Sequence, residues 1–298
     1  MKNLFGVGRA LRGLCVGVIA LAMVHVPSPA SAQQPTAEAV TVSAKRKINL
    51  AGRQRMLTQY MAKAFCFAMV GVDDDKAQMN QVFTMHGLFE STLLALRKGS
   101  ADLEMLPETN ATVLASLDEV EKIWHLYDQA IMQEKMDAVM DLNVAVLDSM
   151  NKAVSVIEKA YSAANGAVRP EIGAAINIAG RQRMLSQRAS KEFCLLVAGY
   201  KPQENRANLF QTIALFDKSL AALRDGDAAL GLKKAPSAKI AAQIEKGGEA
   251  WSYIKNTLER VAKGDKPTTA DLELIAQNNL DVLAEMDELV TMFETHEG

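Results

Sequence analysis

A twelve-residue stretch that occurs twice limits what this 298-residue chain can become more than any other feature. Ile48-Asn49-Leu50-Ala51-Gly52-Arg53-Gln54-Arg55-Met56-Leu57-Thr58-Gln59 returns as Ile176-Asn177-Ile178-Ala179-Gly180-Arg181-Gln182-Arg183-Met184-Leu185-Ser186-Gln187. The match runs on through Lys63, Phe65, Cys66 and Gly71, which recur as Lys191, Phe193, Cys194 and Gly199. Three further echoes keep the same order: Leu88 to Gly99 with Leu215 to Gly226, Trp124 with Trp251, and Leu147, Met150 and Val154 with Leu283, Met286 and Val290. A series of echoes in one fixed order marks a duplicated structural unit.

The composition makes that unit helical. Aromatic residues are only 5%, Ala, Leu and Met are plentiful, and hairpin signals between alternating strands are missing. Pro107, Pro170, Pro202, Pro236 and Pro267 fall between periodic segments, where helices start or stop. The reading gives helices near 40–71, 76–98, 108–133 and 137–165, then 170–199, 203–225, 236–262 and 268–296. Short connections make neighbours antiparallel, so each half is expected to be an up-down four-helix bundle. The expected fold is all-α, two tandem bundles related by a pseudo-twofold axis, with repeats at 40–166 and 167–298. Asn165-Gly166 reads as a helix stop, although helices four and five running on through it would give a stiff joint.

Residues 1–32 read as a secretory signal. Lys2, Arg9 and Arg12 form a positive n-region, Leu14 to Val26 a short apolar core, and Pro29-Ala30-Ser31-Ala32 a cleavage site. The apolar core is shorter than the roughly 20 residues that span a bilayer. Cys15 lies inside it, which makes a lipoprotein anchor a weak reading. Cleavage would leave 30 basic against 35 acidic residues, a formal charge of −5 on 266 residues. The expectation is a periplasmic protein without membrane insertion after cleavage, and a charge that disfavours nucleic acid and anionic membranes as partners.

Helix one of each repeat carries the candidate site. At 100° per residue, Ile48, Gly52, Arg55, Gln59, Ala62, Cys66 and Met69 fall on one stripe; Leu50, Leu57, Met61, Ala64 and Ala68 fall on the other side. The second repeat repeats the stripe as Ile176, Gly180, Arg183, Gln187, Ser190, Cys194 and Val197. The Leu/Met face suits burial in its own bundle, and the small, polar face suits packing along another helix. That partner is either the equivalent helix of the other repeat or a second chain. Packed so, Arg55 and Arg183 would meet, and two guanidinium charges roughly 8 Å apart repel by about 2 kcal/mol at an effective dielectric near 20. A small oxyanion between them would relieve this, since the guanidinium fork matches planar oxyanions. Gly52 and Gly180 would allow the close approach. The plainer reading pairs each arginine with a carboxylate, Glu90 and Asp217 being the equivalent candidates on helix two.

At these residues the chain resembles the PilJ-type sensor domain, named for the N-terminal region of type IV pilus methyl-accepting chemotaxis transducers. The motif is also similar to the periplasmic P-box of NarX-type nitrate/nitrite sensor kinases. The resemblance covers nearly all of the chain after residue 40. It implies a periplasmic four-helix sensor module that feeds a membrane-spanning signalling protein. In the nitrate sensors, the P-box glycine and the arginine before methionine help bind the anion between two copies of helix one; the matching residues here are Gly52, Arg55, Gly180 and Arg183. Arg53 and Arg181 bring the motif closer to the PilJ type, whose ligand the resemblance does not supply.

Cys66 and Cys194 share one repeat position on the stripe. They are either two separately buried thiols, the reading favoured here because disulfides demand narrow Cα separations, or a disulfide if the helices run parallel. Two cysteines without nearby histidines give no metal set, and no cofactor motif is present. Trp124 and Trp251 read as core residues, and Asp73-Asp74-Asp75 as solvated charge at a helix junction. His86, His125 and His296 are scattered, and no catalytic constellation is visible, so the chain reads as a non-enzyme. The expected function is a soluble periplasmic sensor that binds a small anion, nitrate or nitrite being candidates, and signals to a separate membrane sensor or chemoreceptor protein. The alternative is a helical protein-interaction module without a small-molecule ligand.

Overall fold

The computed structural model describes residues 34–72, 75–163 and 166–296. The signal-sequence reading, with Cys15, lies outside these, as do Asp73, Asp74 and Asn165. From Pro35 onward the chain packs as one compact unit. Its α-helices are α1 (Ala37–Met69), α2 (Asp75–Lys98), α3 (Ala111–Met132), α4 (Met136–Tyr161), α5 (Pro170–Val197), α6 (Pro202–Asp225), α7 (Ala238–Ala262) and α8 (Thr269–Thr295). The fold is all-α, and each helix falls within a few residues of its place in the sequence reading.

Local chemistry sets the ends. Thr36, Asn110 and Ser237 cap α1, α3 and α7 with their side chains, and Thr268 with Asp271 makes a reciprocal capping box on α8. Pro170 and Pro202 are the first residues of α5 and α6, where a missing N–H costs nothing. Gly99 ends α2 with φ of 77°, and a Cβ there would stand 2.7 Å from the Pro107 nitrogen, so this tight return accepts only glycine. The α4 helix stops at Tyr161, so α4 and α5 do not form one continuous rod.

Within each repeat, the first helix packs on the second and fourth, and the third on the fourth. Aromatic pairs fill the space between the second and third helices: Phe89 stacks on Trp124 at 3.9 Å and Phe216 on Trp251 at 4.0 Å. Such stacks add about 1 kcal/mol each beyond the area they bury. The most extensive packing in the molecule, however, joins α1 to α5 across the repeats. From Ser43 to Phe67 nearly every residue of α1 is buried, which accounts for its two-faced pattern: one face belongs to its own repeat and the other to α5.

Cys66 and Cys194 are bonded, with Cα atoms 6.2 Å apart. This corrects the expectation of two separate thiols. Parallel, in-register packing of α1 and α5 brings equivalent positions face to face, and a spacing pattern cannot establish that proximity. The bond closes a loop across 128 residues, enough for roughly 2–4 kcal/mol through restriction of the unfolded chain. A Cys66→Ala, Cys194→Ala variant should unfold at lower urea than the parent under nonreducing conditions, and the two should converge once the parent is reduced.

Candidate functional site

The site is the crossing of α1 and α5. A Cβ built on Gly180 would lie 3.9 Å from Gly52 Cα, so the two backbones touch where the two repeats present their glycines. Both arginines fold back onto this point. A Cβ on Gly52 would meet Arg55 Nη2 at 3.3 Å and Arg183 Nη2 at 3.8 Å; one on Gly180 would meet Arg183 Nη2 at 3.4 Å and Arg55 Nη2 at 3.6 Å. The four residues singled out in the sequence are thus brought together, and the expected meeting of like charges is real.

The neighbouring backbone accepts part of that charge. Arg55 Nη2 donates to the Asn177 carbonyl and Arg183 Nη2 to the Asn49 carbonyl, each at 3.1 Å, and Arg183 Nη2 also donates to Asn49 Oδ1 at 2.7 Å. The asparagine side chains are held from behind by carboxylates of the fourth helices. Asn49 Nδ2 donates to Glu294 at 2.5 Å, and Asn177 Nδ2 donates to Glu158. These asparagines belong to the duplicated motif, yet spacing alone gave no reason to place them at the site. Both Arg55 and Arg183 are buried, and the Nε of each has no hydrogen-bond partner among the described residues.

The two halves then diverge. Arg183 Nη1 pairs with Asp287 at 2.6 Å, whereas Arg55 forms no ion pair among the described residues. Burial, followed by the Arg181 and Arg183 charges, pushes Arg55 down to about 9, with Glu158 opposing. Arg183 is also lowered by burial, and Asp287 and Glu294 oppose it. Arg55 borders an open groove of about 440 Å³ together with Arg181, Arg188, Asn151 and Glu158. The expected pairing with Glu90 and Asp217 does not occur: those carboxylates accept from Trp124 Nε1 at 3.5 Å and Trp251 Nε1 at 2.9 Å.

Two turns along the same seam lies a second polar layer. Lys63 Nζ donates to Gln187 Oε1 at 2.7 Å and Asn279 Oδ1 at 2.6 Å; Lys191 Nζ donates to Gln59 Oε1 and Asn143 Oδ1, both at 2.8 Å. Each lysine reaches into the other repeat, and the exchange is reciprocal. Lys63 also stands over the Tyr60 ring at 4.0 Å. Burial pushes Lys63 down to about 7 and Lys191 down to about 8. Their repetition was visible in the sequence, but lysine as a residue type is almost always exposed, so nothing there announced a buried pair.

The interior seam of this bundle thus concentrates arginine, lysine and amide groups. The family described as the N-terminal region of type IV pili methyl-accepting chemotaxis transducers, PilJ, matches residues 39–148 and 171–276. The chain belongs to the PilJ family, and carries the domain twice in tandem. It is similar to the methyl-accepting chemotaxis protein McpN of Pseudomonas aeruginosa, with 32% identity over 117 residues, 39% of this chain. The matched part spans 21% of that protein. No solved structure matches.

Two outcomes test this geometry. Gly180→Val would drive methyl groups into Gly52 and both guanidinium groups, and overpacking of this kind costs about 1–3 kcal/mol; urea unfolding should show the loss, while Gly248→Val, where the nearest neighbour is the flexible end of Leu220, should cost less. The lysine layer sets a pH dependence. Free lysine titrates near 10.4, so between pH 7 and 9 the unfolded chain binds more protons than the folded one, and stability should rise with pH across that window. A Lys63→Met, Lys191→Met variant should lose most of this rise; an identical pH slope in both proteins would contradict the assignment.

Proposed function

We propose that the chain is an exported periplasmic sensor that binds a small oxyanion such as nitrate or nitrite at the α1–α5 crossing and signals to a separate membrane partner of the chemoreceptor type. The observation that carries this reading is the convergence of Arg55 and Arg183 on one glycine contact, with neutral backbone and amide oxygens as the acceptors for their Nη2 groups. A guanidinium that donates to neutral carbonyls keeps its full charge, and a planar oxyanion is the complementary guest. The family match supports a sensory role. Movement of α1 against α5 would be the output, because a guest at the crossing sets the separation of the two helices while the Cys66–Cys194 bond fixes their far ends.

Two observations favour the other reading, a helical interaction module without a small ligand. Arg183 is already neutralised by Asp287, and Phe83 and Phe210 stand exposed at equivalent positions of α2 and α6. A thermal-shift titration with nitrate and nitrite separates the two. On the sensor reading the melting temperature rises with dose, chloride at equal ionic strength does not reproduce the rise, and Arg55→Ala abolishes it. An unchanged response in an Arg55→Ala, Arg183→Ala variant would exclude the crossing as the site.

A further inference from the structure

The duplication supplies an internal comparison, because each half of the crossing shows what the other lacks. The fourth helices align through Leu147, Met150 and Val154 with Leu283, Met286 and Val290, and in that register Asn143 matches Asn279 and Glu158 matches Glu294. The structure bears the register out. Asn143 and Asn279 hold the two buried lysines, and Glu158 and Glu294 hold the two motif asparagines. The same register sets Asn151 opposite Asp287.

That one difference changes the charge around each arginine. In the Arg183 half, Asp287 lies 2.6 Å from Nη1, and Asp287 and Glu294 both act on the neighbouring Arg53. In the Arg55 half, Glu158 is the carboxylate whose charge acts on both Arg55 and Arg181. Arg188, on the same groove, is occupied by Glu192 at 2.7 Å. Neither Arg181, which is half-buried, nor its counterpart Arg53 has an ion pair among the described residues; Arg53 donates to the Thr92 hydroxyl at 3.1 Å. Arg55 therefore lacks the direct carboxylate partner that Arg183 has in Asp287. Ile178, Leu215 and Leu230 give the groove an apolar wall behind the arginines, with Ser155 and Asn151 as polar neighbours.

We propose that the groove beside Arg55 binds a small organic carboxylate, whose carboxyl group takes beside Arg55 the place that the Asp287 side chain holds beside Arg183. The inference rests on the reading of Arg55 as an anion-binding residue and narrows it to one half of the crossing and one ligand class. Asp287 acts as a built-in carboxylate that closes the Arg183 half, so the tandem chain has a single open site. The open groove of about 440 Å³ has room for a short organic body against Leu215 and Leu230.

The test is a thermal-shift titration of the protein with butyrate, with nitrate as a parallel arm and chloride holding ionic strength constant. Wild type should respond to butyrate with saturating dose dependence. Asn151→Asp should supply an internal carboxylate to Arg55 and weaken the response roughly tenfold or more while the protein stays folded. Asp287→Asn should open a second site and give about twice the wild-type shift at saturating dose. The exchange variant Asn151→Asp, Asp287→Asn keeps both charges in the chain and should move the site, so that the response becomes sensitive to Arg183→Lys and insensitive to Arg55→Lys. A folded Asn151→Asp protein with the wild-type response overturns the proposal, and so does a response to nitrate without one to butyrate. If Arg55→Lys abolishes an anion response that Asn151→Asp leaves intact, the crossing reading stands and this one falls. If Arg55→Lys changes nothing, both fall.

Discussion

The contact between Gly52 and Gly180 governs everything else along the α1–α5 seam. The two backbones approach closely there with the helices parallel and in register, and the missing side chains leave the space that the Arg55 and Arg183 guanidinium groups fill, 3.3 to 3.8 Å from where a Cβ would stand. Register then propagates in both directions. Toward the N-termini it sets Asn49 against Arg183 and Asn177 against Arg55; toward the C-termini it sets Lys63 against Gln187, Lys191 against Gln59, and Cys66 against Cys194. A slip by one turn would break every reciprocal bond at once. The disulfide and the glycine contact therefore hold the same alignment from two places, one covalently and one by shape.

Such a seam is costly to build. Two arginines and two lysines are withdrawn from water, and isolated buried charges are expensive unless their donors find acceptors. The structure meets this with backbone carbonyls for both arginines, a direct Asp287 carboxylate for Arg183 and paired amides for the lysines, with Glu158 and Glu294 one layer further out behind the motif asparagines. Neutral acceptors satisfy hydrogen bonds and leave the positive charge in place.

The two copies have not stayed equivalent. The amide and lysine layer is reciprocal almost bond for bond, but the outer carboxylates differ: Asp287 faces Arg183 while Asn151 borders the groove beside Arg55, and Arg188 with Glu192 replaces Tyr60 with Ala64. Joining two copies in one chain removes the requirement that both faces of a symmetric contact mutate together. Each half is then free to specialise, which a pair of identical subunits cannot do.

The sequence by itself determined the helices and the duplication, because helix periodicity, proline punctuation and capping residues are local and act wherever the chain is. It also isolated Gly52, Arg55, Gly180 and Arg183, since a stripe of small and polar residues on an otherwise buried helix signals a second packing surface. Only the tertiary structure decided what that surface meets. That α1 takes α5 as its partner, that Cys66 and Cys194 bond, that Lys63 and Lys191 are buried, and that Glu90 and Asp217 serve tryptophans instead of arginines all depend on contacts across more than a hundred residues or between helix faces. Such contacts follow from the closeness of packing at one glycine pair, and a linear pattern states which residues can approach but not how near they come.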